Sequence, residues 1–280
     1  GERDAYQSSG DRSYPLNAAR VKGVGGSTLH WQGMVHRLHE LDFHRNTKSG
    51  YGADWPFGYV ELQPYYAQAE RAFGTAGASD NPFEPPRLEP HPMPAFNPSF
   101  SDAIFAEACE QTGVPTHSVP NARNSERYEG RSSCVGYGTC QPVCPSGAKY
   151  DATHSIQQAE SLGVRVVDRV PVQRLITGTD PSQVEAAVYV TPEGAEYQQS
   201  ADRFVLAAGG VEIPRLLLLS ALPDHPDGLA NRSGAVGRYF HDHLFAGMGG
   251  QVEQRTRQNH VGFITSGSHA FYDDPGQSTS

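Results

Sequence analysis

The sequence predicts an α/β fold carrying a large loop-rich insertion, and three observations predict it. The short, wholly apolar run Phe204 to Ala208 ends at Gly209-Gly210 and opens an apolar stretch from Val211 to Leu219. That is the order of a buried parallel strand, a glycine turn and a helix. Upstream, Val164 to Val167, Val172 to Ile176, Ala186 to Val190 and Tyr197 to Gln199 read as strands. Before them lies a long stretch rich in proline, glycine and cysteine, with seven prolines between residues 78 and 99 and almost no periodicity.

In chain order, residues 1 to 19 are polar and irregular, and Arg20 opens a glycine-rich turn followed by aromatic and histidine residues. Asp54 to Pro56 is a turn. Leu62, Tyr66, Ala69 and Phe73 then recur at helical spacing until Gly74 and Gly77 stop them. A second helix is expected from Ser101, as N-cap, to Gly113, with Ile104, Phe105, Ala108 and Cys109 on its buried face. Residues 114 to 150 are loop, followed by a short helix near Ser155 to Leu162. Pro192-Glu193-Gly194 turns a hairpin between Ala186–Val190 and Tyr197–Gln199. Residues from Leu244 to Glu253 are expected to begin another sheet.

The 280 residues suffice to bury a core, and 37% hydrophobic with 19% charged residues is a globular balance. A net charge of -9 argues against nucleic acid, which needs clustered Lys and Arg. No run approaches the roughly 18 apolar residues of a membrane span. The chain opens Gly-Glu-Arg-Asp without a signal peptide or an initiator Met, as a mature or truncated chain would.

Cys134, Cys140 and Cys144 are spaced C-x5-C-x3-C, with Pro145 next and Gly136, Gly138, Pro142 and Gly147 interleaved. Glycines let a loop wrap an inorganic core and aim N–H groups at its sulfides, and thiolates are the ligands that iron–sulfur clusters require. Three thiolates suit a [3Fe–4S] cluster. Zinc is an alternative, although it prefers shorter C-x2–4-C pairs and four ligands. Disulfides or inert buried thiols are another. Cys109 is available as a fourth ligand, but its helical spacing reads as a core hydrophobe.

Gly23-Val24-Gly25-Gly26-Ser27-Thr28 resembles a phosphate-cradling loop without the third glycine of a dinucleotide fingerprint. It is followed by Leu29-His30-Trp31, which puts an imidazole and an indole beside a turn able to approach a flat cofactor. At Gly209-Gly210 the helix N-terminus favours anionic groups.

Taken together these stretches resemble the glucose-methanol-choline (GMC) oxidoreductases, in particular the large flavoprotein subunits of gluconate, sorbitol, fructose and FAD-glucose dehydrogenase type. The resemblance runs from about Arg20 to Leu244. It rests on KGVGGSTLHWQG, DWPFGYVELQPYYAQAERAFG, CVGYGTCQPVCPSGAKYDA, FVLAAGGVEIPRLLLLS and GLANRSGAVGRYFHDH, in the family's order. It implies FAD and an iron–sulfur cluster as cofactors. It also implies a sugar or polyol as substrate, with electrons leaving to a cytochrome c subunit beside a small escort subunit. The implied location is periplasmic, membrane-associated only through those partners.

The same resemblance gives Gly25, Gly26 and Ser27 to the flavin and pyrophosphate, with Trp31 beside them. His30 becomes a candidate for flavin contact or covalent attachment, Val172 meets the adenine, and Ala208 and Gly209 lie at the strand end beside FAD. Cys134, Cys140 and Cys144 match the three-iron cluster loop, and Asp242-His243 matches a structural pair. The implied division is 1–45 as a flavin-contacting segment, 46–150 as the insertion with the cysteine loop, 151–243 as FAD-domain strands and helix, and 244–280 as the start of a substrate domain. The family's GxGxxG fingerprint and its catalytic His do not occur in the sequence, so the resemblance implies a middle piece, inactive alone, and nominates no catalytic base. The alternative, from another class, is a non-catalytic zinc- or cluster-binding electron-transfer module without flavin.

Overall fold

The computed structural model describes residues 5–11, 14, 16–243, 245–253, 255–256 and 264–272. In chain order the helices are α1 (Leu16–Ala19), α2 (Glu40–Phe43), α3 (Arg45–Ser49), α4 (Tyr59–Phe73), α5 (Phe100–Gln111), α6 (Ala152–Ser161) and α7 (Gly209–Leu219). The strands are β1 (Ala76–Gly77), β2 (Met93–Pro94), β3 (His117–Ser118), β4 (Val172–Thr177), β5 (Val184–Val190), β6 (Glu196–Ser200) and β7 (Ser266–Gly267). Contacts divide the chain into two compact units, Gly1–Leu162 with Val252–Ser280, and Gly163–Gln251.

In the first unit α4 starts at extended Gly58, whose N–H donates to Glu61 Oε2 at 3.2 Å, while Glu40 Oε2 accepts from Tyr59 N–H at 3.0 Å. Carboxylates at this end satisfy free N–H groups and complement the helix dipole. The helix ends at Gly74, φ 69°, where a Cβ would also lie 2.5 Å from Arg131 Nη2, so both conformation and space require glycine. The expected stripe of Leu62, Tyr66, Ala69 and Phe73 is half-buried, and Tyr59, Ala67 and Glu70 are buried beside it.

Helix α5 is capped by Ser99, whose Oγ accepts from Asp102 N–H at 3.1 Å; Ser101, the expected cap, lies inside the helix. The expected buried face also shifts. Of the expected face Ile104 and Cys109 are half-buried but Phe105 and Ala108 are exposed, and Asp102 and Ala106 sit half-buried in their place. The reason is at the N-terminus, where Asp102 Oδ2 accepts from Thr265 N–H at 2.8 Å and turns that side inward. Cys109 is thus half-buried and not a full core residue.

Residues 121 to 124 form the spine of this unit. Ala122 N–H donates to Gly33 O at 2.7 Å, Tyr150 N–H to Ala122 O at 2.8 Å and Asn124 N–H to Ala148 O at 2.9 Å. These bonds join the segment after the glycine turn to the end of the cysteine loop. Short pairs complete the frame: β1 with β2 in parallel, and β3 with β7 antiparallel.

The second unit is an antiparallel sheet in the order β4-β5-β6 with α7 against β4. The hairpin forms as expected, with Val188 opposite Gln198 and Gly194, φ 86°, in the turn. Leu175, Ala186 and Val188 supply its buried apolar side, and Ser220 Oγ accepts from Leu175 N–H at 2.8 Å.

Two expected strands are not laddered. Residues 164 to 167 are irregular, with Val164, Val166 and Val167 exposed, and Phe204–Ala208 is not a strand, with Val205 88% exposed. Apolar sequence supplies strand propensity, but a ladder needs a paired strand, and among the described residues the sheet of this unit consists of β4, β5 and β6. Leu244 lies outside the described residues, and 245–253 form no sheet. The expected Ser155–Leu162 helix is α6, started earlier by Asp151, whose Oδ1 accepts from Thr153 N–H at 3.0 Å.

Candidate functional site

The glycine turn is built as its sequence demands. Gly25 has φ 91°, and a Cβ there would meet Leu29 Cδ2 at 2.9 Å and Thr153 Cγ2 at 3.1 Å. Gly26, φ 54°, and Ser27 begin a single 3-10 turn through Leu29. Thr28 Oγ1 donates to Gly25 O at 2.5 Å and accepts from Ala152 N–H at 2.9 Å, fixing the turn against the first residue of α6. Ser27 Oγ accepts from Val21 N–H at 3.3 Å.

His30 follows at the rim of an open groove of about 540 Å³, whose lining includes Ala18, Arg20, Leu29, Pro142 and Val143. The groove therefore has the glycine-turn segment on one side and the cysteine loop on the other. Trp31 is turned into the packing: Nε1 donates to Tyr150 O at 2.8 Å, and its ring meets Phe73 edge-on at 6.5 Å.

The four cysteines are free thiols; Cys140 is buried, and Cys134, Cys144 and Cys109 are half-buried. Among the described residues no three His, Cys, Asp or Glu side chains converge in a metal-binding arrangement. What surrounds the thiols is a set of donors. Arg123 Nη1 donates to Cys140 Sγ at 3.2 Å. The Arg123 side chain is fully buried, lies over the Phe96 ring at 4.0 Å, and leaves Nε and Nη2 without a partner.

Burial pushes the Cys144 thiol up, but the Ser146 hydroxyl and the backbone N–H groups of Lys149, Ala148 and Ser146 together bring it below the ordinary thiol value. Cys134 N–H donates to Asn124 O at 2.8 Å, tying the first cysteine to the spine. Gly136, Gly138 and Gly147 all adopt positive φ, which the wrapping of this loop uses.

Lys149 joins the two halves. Its buried ammonium donates to Trp31 O at 2.7 Å, to Cys140 O at 2.7 Å and to Leu29 O at 3.5 Å. Burial holds its pKa below the ordinary lysine value, and nearby Cys140, Cys144 and Asp151 oppose that shift. Arg131 extends the cationic side, donating to Ala148 O at 3.2 Å and to Phe73 O. The donor set fits an anionic thiolate-bound group: a buried guanidinium with idle N–H bonds is costly unless something anionic accepts them.

Val172, Ala208 and Gly209 belong to the second unit. Val172 opens β4 opposite Tyr189, and Ala208 is the residue before α7, where Gly209 takes φ 83°. His243 N–H donates to Asp242 Oδ1 at 2.8 Å.

Residues 11–245 match the family model for GMC oxidoreductase, and the chain belongs to that family, with its α/β fold. It is 37% identical over 230 residues to the fructose dehydrogenase large subunit of Gluconobacter japonicus, covering 81% of this chain and 42% of that protein. It is 31% identical to the 2-methyl-1,2-propanediol dehydrogenase of Mycolicibacterium austroafricanum, over 90% of this chain and 46% of the relative. The gluconate 2-dehydrogenase flavoprotein of Pantoea cypripedii is 26% identical, over 78% and 41%. The chain thus spans less than half the length of these relatives. Among the described residues no helix is long and apolar enough to cross a membrane.

Proposed function

We propose that the protein to which this chain belongs is an FAD-dependent dehydrogenase that oxidises a CH–OH group of a sugar or polyol and passes the electrons on through an iron–sulfur cluster. The single observation that carries the reading is Lys149, which donates to the Trp31 carbonyl and to the Cys140 carbonyl at 2.7 Å each. One side chain thereby holds the turn assigned to the flavin next to the loop assigned to the cluster. Names of the relatives, a fructose dehydrogenase subunit and a diol dehydrogenase, support the substrate class.

In this reading Gly25, Gly26 and Ser27 form the flavin turn, with His30 at the groove as contact or attachment point. Val172 serves the adenine, Ala208 and Gly209 lie beside FAD, and Cys134, Cys140 and Cys144 hold a [3Fe–4S] cluster. Trp31 acts by packing behind the turn. FAD when bound supplies a hydride acceptor and the cluster a one-electron exit. The chain's own part is to orient the flavin, exclude water behind Trp31 and Phe73, and hold sulfur as thiolate beside buried cations. No catalytic base is assigned within these residues.

Residues 1–45 and 151–243 then belong to an FAD domain, 46–150 to the insertion, and 244–280 open a substrate domain. A cytochrome c subunit and a small escort subunit are the proposed partners, with a periplasmic location and membrane association through them.

The test is iron and acid-labile sulfide on full-length protein purified without oxygen, followed by a panel of aldoses and polyols. About three irons with matching sulfide, and bleaching of the flavin by at least one substrate, is the expected result. Zinc in place of iron would sink the electron exit. A flavin that stays oxidised with every substrate would sink the substrate class.

A further inference from the structure

Arg123 is the residue that the proposed function leaves unused and the geometry does not. It sits on the buried spine between Ala122 and Asn124, 17 positions from Cys140 in sequence, with its Nη1 donating to Cys140 Sγ at 3.2 Å. Only 1% of it is exposed, yet Nε and Nη2 have no hydrogen-bond partner. Among the described residues no carboxylate pairs with it.

A structural arginine in this position would be expected to find a carboxylate or to spread its N–H groups over carbonyls, as Arg37 and Arg131 do. Arg123 is instead held on one face by the Phe96 ring at 4.0 Å and aimed at a thiol. An uncompensated cation in a dry site has a large effect on any charge change beside it, because the local dielectric is low.

We propose that Arg123 is the positioning residue that sets the reduction potential of the iron–sulfur cluster, by donating to the Cys140 sulfur and compensating the negative charge of the reduced cluster. The inference rests on the reading that Cys134, Cys140 and Cys144 carry such a cluster. Adding one electron makes the cluster more negative by one charge, and a cation in contact with a ligand sulfur favours that state. Hydrogen bonds to sulfur and nearby charge are among the levers by which proteins tune such potentials. The guanidinium neither takes up nor releases a proton in the step; its fixed charge is what acts.

The experiment is a potentiometric titration followed by electron paramagnetic resonance on the full-length holoprotein, comparing wild type with Arg123→Gln and Arg123→Lys. Arg123→Gln keeps a hydrogen-bond donor and removes the charge, so its midpoint should move to more negative potential. The expected change is tenfold or more in the one-electron equilibrium, which is 59 mV for a one-electron couple. Arg123→Lys should recover more than half of the shift.

Loss of iron in Arg123→Gln with full iron in Arg123→Lys would also support the assignment, since both keep a donor and only the lysine keeps the charge. Unchanged potential in an iron-loaded Arg123→Gln would overturn it while leaving the cluster reading intact. Equal shifts in both variants, or loss of iron from both, would overturn it too, because packing would then explain the effect. A wild-type protein without iron would instead overturn the cluster reading itself, and this inference with it.

Discussion

The first unit buries two groups of cations and balances them in opposite ways. Around α4, Glu70 accepts from Arg37 Nε and Nη2 at 2.8 Å each and from Arg87, which also reaches Glu84 Oε1 at 2.8 Å. Tyr59 Oη accepts from Arg37 Nη1 at 2.8 Å and donates to Pro86 O, so this network closes on itself. Around the cysteine loop, Arg123, Arg131 and Lys149 meet sulfur, carbonyls and aromatic rings, and among the described residues no carboxylate hydrogen-bonds to them. A closed network fixes a fold. An open one leaves buried donors unused, and those are the donors that the proposed cluster would engage.

The largest expected effect sharpens that contrast. Glu70→Ala strands two buried guanidiniums and should cost roughly 3–5 kcal/mol in urea unfolding of the full chain. Arg123→Met in iron-free protein removes a cation that has no counter-ion, and should be within about 1 kcal/mol of wild type or stabilising. Comparable losses in the two variants would erase the distinction drawn between the networks.

Next in size is Gly25→Ala. Its φ of 91° and the 2.9 Å approach to Leu29 predict a loss of about 1–3 kcal/mol, read as a lower Tm. A variant as stable as wild type would mean that the turn near the open network is loosely held.

Acid tests the closed network from its edge. His91 has a side chain only 2% exposed, 3.9 Å from Glu84, with neither ring nitrogen hydrogen-bonded. Burial, reinforced by the Arg87 charge, lowers its pKa from 6.5 to about 4. The unfolded chain therefore binds a proton that the folded chain refuses, and stability falls as pH drops from 6.5 towards 4. His91→Phe should remove about 1–2 kcal/mol of that slope, allowing for partial solvent screening. Glu70 acts lower. Burial raises its pKa, but the bonds from Arg37 and Arg87 outweigh this and bring it below the usual 4.5. Its contribution is thus present above that value and is lost only as pH falls through its folded pKa. A slope between pH 6.5 and 4 that survives in His91→Phe would assign the sensitivity elsewhere.

The smallest effect is expected at Arg174, whose pair with Glu196 lies on the surface of the second unit. Arg174→Gln should leave Tm within experimental scatter. A clear drop would show that exposed pairs matter here as much as buried ones.

Local signals carried much of this in the sequence, and non-local ones did not. The hairpin could be read because Pro192-Glu193-Gly194 and alternating residues lie within one short segment. Helix α4 could be read from spacing and its terminal glycine. The cap of α5 was displaced by two residues, and its inward face by about one position, because Thr265 and Asp102 decide the rotation from 163 residues apart. Phe204–Ala208 looked like a buried strand, yet burial depends on a neighbour that the segment itself does not contain.

At the site, the cysteine spacing and the glycine turn stood out as compact motifs. Arg123, Arg131 and Lys149 did not, since isolated basic residues ordinarily belong to a solvated surface. Their only sequence trace is that they bracket the cysteine loop.

One edge of the second unit has a bearing on solubility. Among the described residues strand β6 is terminal in its sheet, and all five of its residues, Glu196 to Ser200, are exposed. A free ladder edge can recruit a strand from another molecule, and charge or polar side chains there discourage it. Glu-Tyr-Gln-Gln-Ser carries a charge and a single aromatic residue, and Tyr197 is stacked on Tyr189 of the neighbouring strand at 5.9 Å. The hairpin can therefore present its outer rim to water as a guarded border, and replacing Glu196 and Gln198 with valines would turn that border into a template for fibrous self-association.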